Sequence, residues 1–364
     1  MSVYIILLIV VFIFLIILGV DLYKISYKII KKFVQKKIAT IFLSFLSFIP
    51  FIIGFLIDTT NAIVVDVYLV SIVYLTKFLF WIIEKISKKK FNEYKILGVG
   101  VILTTVIMIH GYYLVYHVVE TDYKISTSKN IDPNGFRIVQ VSDSHIGTTM
   151  NGKKFSEYME KINELTPDIL VVTGDFIDDN TSYEDMIDAA NGFGKVKTKH
   201  GIYFVFGNHD KGYFNNRNYT EVEIRNALTS NGVIILEDNY ADVTDKIVLI
   251  GRQDAGVENR SSAQELVKNF NKDKYFIMLD HQPNDYDNEK DSEVDLVLSG
   301  HTHGGQLIPL GQLGVLLGAN DKVYGIEKRG NTTFIVNSGI SDWAMKFKTG
   351  AISEYVVIDL EKIN

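Results

Sequence analysis

The sequence predicts an α/β domain carried behind an N-terminal region of four membrane-spanning helices. Three observations predict it. Four apolar runs of membrane-crossing length fill the first 120 residues. After them, short β-branched runs alternate with helical periods. Five of those short runs end in His, Asp or Asn.

Composition agrees with a membrane part. The chain has 364 residues, of which 47% are hydrophobic, and its mean hydropathy is +0.13. Both values are high for a purely soluble enzyme. There is no Cys, which excludes disulfides, thiolate metal sites, iron–sulfur clusters and cysteine nucleophiles. Charge is unevenly spread. Residues 1–130 hold 14 Lys, no Arg and 7 Asp or Glu, a net of about +7, which leaves about −13 on residues 131–364. An acidic globular half is a poor partner for nucleic acid, and none is expected.

The apolar runs are residues 4–20, 38–57, 62–83 and 96–119. Each is roughly 17–25 residues, enough for a helix to cross about 30 Å of hydrocarbon. The first lacks a basic leader and a small-residue cleavage site, so it reads as a retained helix. Residues 21–37 carry six Lys and residues 84–95 carry five, whereas the turn at 58–61 carries none. By the positive-inside rule the Lys-rich loops are cytoplasmic, so a multi-pass cell-membrane protein with an extracytoplasmic domain is expected. Asp66 and Lys77 lie on one face of the third run. A polar intramembrane pathway is one reading. The expected one places Asp66 at the outer interface and lets Lys77 snorkel past Trp81. His110 and His117 read as interfacial.

Residues 1–120 therefore form the membrane region. The polar stretch 121–135, with Pro133, reads as a linker. The domain occupies residues 136–364. In order, FRIVQVS reads as a strand, KKFSEYMEKINEL as a helix, DILVVTG as a strand and SYEDMIDAANGF as a helix. IYFVFG is a strand and TEVEIRNALTS a helix. VIILE and IVLIG are strands, SAQELVKNF is a helix, and YFIMLD, DLVLSG, TFIVNS and EYVVIDL are strands. Buried apolar strands alternating with helices argue α/β.

The strand ends carry the chemistry. They present Asp143 and His145; Asp175 and Asp178; Asn208 and His209; His281; and His301 and His303. Sites in α/β sheets form beyond the carboxyl ends of strands, so these residues are expected at one edge. Imidazole and carboxylate suit Zn, Fe or Mn. The ligands are too many for one ion. Two divalent ions about 3.5–4 Å apart, bridged by a carboxylate, would use them all. Such a pair generates hydroxide near neutral pH and clamps both oxygens of an in-line displacement at phosphorus. Two His one residue apart can reach two neighbouring ions, and the glycines of GHTHGGQ give a tight turn with space for substrate. D-x-H or GDxxD alone reads as turn chemistry; all five segments in this order, each behind a strand, do not. His200 precedes a strand and reads as structural.

The series DSH, GDFIDD, GNHD, DHQP and GHTHGGQ resembles the calcineurin-like metallophosphoesterases, in the membrane-linked, bacterial-type branch whose final motif is GHTHGGQ. The resemblance covers roughly residues 136–360. It implies two β-sheets flanked by helices (αββα) with a dinuclear metal site. It implies that Asp143, His145 and His303 hold one metal, that Asn208, His281 and His301 hold the other, and that Asp175 bridges them. His209 takes the place of the histidine that touches phosphate and protonates the leaving oxygen, with Asp178 as its orienting carboxylate. A His near pKa 6.5 beside a carboxylate suits that role. Protein phosphatases of the superfamily read GDxxDRG and GNHE. Here no Arg follows Asp178, which argues against a phosphoprotein substrate.

The expected function is a membrane-anchored phosphohydrolase acting on phosphodiester or pyrophosphate-type substrates at the outer surface, including lipid-linked ones. A second reading is a cell-surface nucleotide or cyclic-nucleotide phosphodiesterase, with Tyr213 and Phe214 stacking on a base or packing in the core. A third is a non-catalytic sensor of a phosphate ligand that signals through Asp66 and Lys77.

Overall fold

The structure is a computed structural model that describes residues 3–212 and 217–363. Tyr213 and Phe214 lie outside the described residues. The chain divides into two compact units, Met1–His110 and Gly111–Asn364.

The first unit is helical: α1 (Val3–Ile30), α2 (Lys37–Phe45), α3 (Ile49–Ile57), α4 (Thr59–Ser87) and most of α5 (Glu93–Tyr116). Among the described residues two helices, α4 and α5, are long and apolar enough to cross a membrane. That corrects the expectation of four continuous spans. The run 38–57 is helical but divided, with a 3-10 turn at Leu46–Phe48 between α2 and α3. Pro50 stands in the first turn of α3. Proline has no N–H to donate to the hydrogen-bond ladder of a helix continued from before it. Two nine-residue helices, each about 14 Å long, do not separately span hydrocarbon. The run 4–20 lies inside α1, several of whose side chains are outside the described residues.

Asp58 caps α4, its side chain accepting from the Asn61 N–H at 3.1 Å. A Cβ on Gly100 would meet Val73 at 2.9 Å, so glycine lets α5 approach α4 closely. Lys77 does not pair with Asp66. Its ammonium lies 3.2 Å from Asp21, and Asp66 is buried.

The second unit is an α/β sandwich. Its strands are β1 (Val119–Thr127), β2 (Phe136–Val141), β3 (Ile169–Thr173), β4 (Ile202–Val205), β5 (Val233–Ile235), β6 (Asn239–Asp242), β7 (Ile247–Gly251), β8 (Tyr275–Leu279), β9 (Leu296–Ser299), β10 (Gly325–Arg329), β11 (Thr332–Val336) and β12 (Glu354–Lys362). Its helices are α6 (Gly152–Glu164), α7 (Tyr183–Phe193), α8 (Glu221–Ser230), α9 (Ala263–Val267), α10 (Tyr286–Lys290) and α11 (Leu310–Leu316). One sheet has the order β1-β12-β2-β3-β4-β5 and the other β10-β11-β9-β8-β7-β6. The stretch 121–135 is thus no bare linker. Most of β1 lies in it, paired in parallel with β12. Its alternation of polar and apolar residues signals a half-exposed strand, which polarity alone conceals.

Strand periodicity of two builds the layers. Val139, Val141, Leu170, Val172 and Phe204 pack against α6, α7 and α8. Their neighbours Ile138, Ile169, Val171, Tyr203 and Val205 point the other way and meet Ile247, Leu249, Ile277, Leu279, Leu296 and Leu298 of the second sheet. Val248, Ile250, Phe276 and Val297 then face α9 and α10. Each fully buried Leu, Ile or Phe contributes about 1.5–3 kcal/mol relative to exposure. The αββα expectation therefore holds for this unit. Burial on both faces explains why the strands read as unbroken apolar runs.

Candidate metal centre

The loops after β2, β3 and β4 of one sheet meet the loops after β8 and β9 of the other. The expected edge is therefore shared between two sheets. Eight of the nine candidate residues reach it in three clusters of converging ligand atoms: Asp143, His145 and His303; Asp175, His281 and His301; and His145, Asp178 and His209. The ninth, Asn208, meets His281 and His301 through its amide oxygen.

Backbone geometry aims these side chains. Asp143, His145, Asp175, His301 and His303 all have positive φ, between 35° and 71°. That region is costly for residues other than glycine and concentrates at functional sites. The glycines beside them permit close approach. A Cβ on Gly207 would lie 2.2 Å from the Asp175 carboxylate, and one on Gly300 would lie 2.2 Å from that of Asp143. In GHTHGGQ, Gly304 and Gly305 make the expected tight turn, with φ of 61° and 83°. The space their missing Cβ atoms leave is filled by Ala351, Ser338 and Val323, so it serves packing instead of substrate.

Hydrogen bonds settle which ring nitrogens face inward. His281 Nδ1 lies 2.8 Å from the carbonyl oxygen of Thr173. A carbonyl only accepts, so Nδ1 carries a proton and Nε2 is the nitrogen turned toward the site. That Nε2 is 3.0 Å from Asn208 Oδ1 and 3.2 Å from Asp175 Oδ2. His301 Nδ1 is 2.9 Å from the same Asn208 oxygen. On the other side, His145 Nε2 is 3.2 Å from His303 Nε2 and 3.5 Å from Asp175 Oδ2. His303 Nε2 is 3.6 Å from Asp143. His209 Nδ1 is 3.4 Å from Asp178 Oδ1.

The calcineurin-like phosphoesterase family matches residues 136–305 of this chain. YkuE of Bacillus subtilis, described as an uncharacterized metallophosphoesterase, is 30% identical over 70% of this chain and 91% of its own length. The chain belongs to the metallophosphoesterases. The uncharacterized metallophosphoesterase Cj0846 of Campylobacter jejuni is 28% identical over 68% of this chain and 67% of its own length. A transmembrane protein with metallophosphoesterase domain from Danio rerio is 30% identical over 63% of this chain. This metallophosphoesterase covers about half, 54%, of that fish relative.

The donor set fits divalent cations. It is all imidazole, carboxylate and amide oxygen, the set that suits Zn, Fe or Mn. Ring nitrogens face amide and carboxylate oxygens at 2.9–3.6 Å. A cation between them satisfies both. A metallophosphoesterase domain with these clusters is the framework of a membrane-associated, metal-dependent hydrolase.

The imidazoles differ in their electrostatics: against burial, the Asp175 charge raises His281 well above its ordinary value, whereas His301 and His145 are lowered. Burial and then the His281 charge push the His301 imidazole down to about 4, and burial lowers His145, so both favour the neutral form that ligates. Burial opposes charge on His209, but its bond to Asp178 and the charges of Asp175 and Asp178 outweigh it and raise its pKa. His200 stacks on Phe136 and stays away from the site.

Two residues of the site went unassigned in the sequence. Asp210, the last residue of GNHD, is buried and accepts from the N–H groups of Asp175, Phe176, Ile177 and Gly207 at 2.8–3.1 Å. It ties the loops after β3 and β4 together. Burial and the Asp175 charge push its carboxyl up to about 7. Its signal was its place in the motif. Asp342 is fully buried, with Oδ1 3.0 Å from His303 Nδ1, and it accepts from Gln306. It positions His303, and no motif marks it.

Proposed function

We propose that this protein is a membrane-anchored phosphohydrolase with a dinuclear metal centre. Its substrates are phosphodiesters or pyrophosphates at the outer membrane surface, including lipid-linked ones. One observation carries the reading: a single carboxylate oxygen, Asp175 Oδ2, reaches His281 at 3.2 Å and His145 at 3.5 Å. Asp175 is the residue that would serve both ions. Asp143, His145 and His303 would hold one ion, and Asn208, His281 and His301 the other. When bound, two divalent cations supply a water nucleophile at neutral pH and neutralise charge on the phosphoryl oxygens. His209 protonates the leaving oxygen. Asp178 orients it and keeps it protonated. The eleven Lys of the loops at 21–37 and 84–95 support an extracytoplasmic domain.

The alternatives gain less support. The base-stacking pair invoked for a nucleotide phosphodiesterase, Tyr213 and Phe214, lies outside the described residues. The sensor reading rested on Asp66 and Lys77, yet Lys77 pairs with Asp21.

The test is hydrolysis of an aryl phosphodiester and an aryl phosphomonoester by the full chain in detergent. A fragment starting at 122 would cut β1. The protein is stripped of metal, then given Mn or Zn, with Asp175→Asn and His209→Ala alongside. Metal-dependent turnover lost in both variants is expected. Metal binding without turnover of either ester would overturn the hydrolase reading for these ester classes.

A further inference from the structure

The second unit buries most of its large apolar side chains, and several of the exposed ones gather in one stretch. From Gly304 to Asn320 the chain holds no charged residue. Within that stretch Ile308, Leu310, Leu313, Leu316 and Leu317 are 50%, 44%, 42%, 79% and 68% exposed. Helix α11 has no buried residue at all. Scattered exposed hydrophobics such as Val222 and Ile234 are normal. A cluster of five on one short element marks an interaction surface.

The position of that surface identifies its occupant. Helix α5 is long and apolar enough to cross a membrane, and its last residues, from Gly111 on, belong to the second unit. The segment 348–353 holds this helix end and the base of α11 at once. On one side the Lys348 N–H donates to Gly111 O at 3.1 Å and the Ser353 N–H to Leu114 O at 3.0 Å. On the other, the Thr349 N–H donates to Gln306 O at 2.7 Å and the Ala351 N–H to Gly304 O at 3.1 Å. The Ile308 N–H donates to Thr349 Oγ1 at 2.8 Å. Tyr112, Tyr113 and Tyr116 are exposed on the same helix end. Tyrosines of that kind sit at the headgroup level of a bilayer. Residues 131–364 carry a net charge of about −13, which anionic headgroups would repel. An uncharged apolar element is the surface such a domain can offer to lipid.

We propose that residues 308–317 insert into the lipid bilayer as an interfacial element and set the mouth of the metal centre at headgroup level, which selects phosphoesters carried on lipids. This rests on the hydrolase reading above and names its substrate class. The link to the site is short. Gln306 donates to Asp342 and to the carbonyl of Trp343, and the Trp343 ring lies 5.2 Å from that of His209. Burial of an apolar helix face at the boundary of headgroups and acyl chains is the physics of monotopic anchoring.

The chain lacks Cys, so a single introduced thiol is unique. The full chain carrying Leu316→Cys, or Val222→Cys on α8 as control, is labelled with bimane. Each is placed in phosphatidylcholine–phosphatidylglycerol vesicles that contain acyl-chain nitroxide lipids. The expected result is strong lipid quenching and iodide protection at 316 and the reverse at 222. Equal lipid quenching at both sites overturns the proposal. Iodide protection at 316 without lipid quenching also overturns it, in favour of a covering protein or a second copy. This readout needs no turnover, so it stands or falls separately from the hydrolase assignment. The triple variant Leu313→Ser, Leu316→Ser, Leu317→Ser should hydrolyse a soluble aryl phosphodiester in detergent as the parent does. On a vesicle-embedded lipid phosphodiester it should lose at least roughly 10-fold. Equal rates for variant and parent on the embedded substrate would overturn the selection for lipid-borne esters.

Discussion

Two buried clusters of charged side chains lie next to each other in the second unit, and they are built on opposite plans. One is the candidate metal centre. The other surrounds Arg252, whose Nη1 reaches Asp280 at 2.8 Å, Asp285 at 2.9 Å and Glu289 at 3.3 Å, while Arg260 reaches Asp280 at 3.1 Å. Asp280 directly precedes His281, so the two clusters share a strand end. In the Arg252 cluster guanidinium N–H groups meet carboxylate oxygens, though Arg252 Nε is buried without a partner. Burial and the Asp280 charge push the Glu289 carboxyl well above its ordinary value, so it can donate to Asp280 in turn. In the metal centre, imidazole nitrogens and carboxylate oxygens converge in shared clusters. A buried cluster that carries its own positive charge is structural; one that closes only around added positive charge is a site.

That contrast can be tested by breaking each side. The largest effect is expected for Asp175→Asn. Removing the carboxylate oxygen shared by both triads should drop turnover to background and lower metal content, read by elemental analysis and aryl-ester hydrolysis. His209→Ala should lower kcat by about 10²–10⁴-fold with metal content unchanged. Loss of metal along with rate would show that His209 ligates instead of donating a proton. Arg252→Met should do the converse. Breaking a buried ion pair by removing one partner costs about 3–5 kcal/mol, so chemical unfolding shifts strongly while metal binding persists below the transition. Asp342→Asn, one step removed from the centre, should weaken metal affinity or rate by about 10–100-fold.

The smallest effect is a pH shift. The Asp178 carboxylate helps raise the His209 pKa, so the protonated donor survives to higher pH than an ordinary imidazole would. Activity that needs this proton is lost as pH rises through the raised value. In Asp178→Asn the alkaline limb of the kcat profile should therefore move to lower pH. An unmoved limb would remove Asp178 from the orienting role.

The buried strands and the five ligand-bearing loops were legible because each has a local signature. Apolar runs doubly buried in a sandwich leave an unbroken apolar text, and residues behind a strand end must sit at the sheet edge. Strand β1 was hidden because only alternate residues are covered, so its composition resembles a connection. The division of residues 38–57 was signalled by Pro50, whose effect on helix continuity outweighs the hydropathy of the run. Asp342 could not be read, because its partner His303 lies 39 positions earlier and only the fold joins them. The exposure of α11 was equally silent, since an apolar helix in sequence does not say which side it shows.

The pairing of β1 has a consequence for how the protein is made. This strand leaves the membrane helix α5 directly, yet its neighbour in the sheet is β12; Thr121 and Glu354 are 233 positions apart. β2, the next strand to emerge from the ribosome, also pairs with β12, not with β1. While a nascent chain is threaded into the membrane, both strands therefore wait with open edges until almost the whole domain has been synthesised. Open edges invite wrong partners, and distant pairing is slow. A chain released early would be held at the bilayer with its first sheet unclosed, an exposed signal that surveillance proteases recognise.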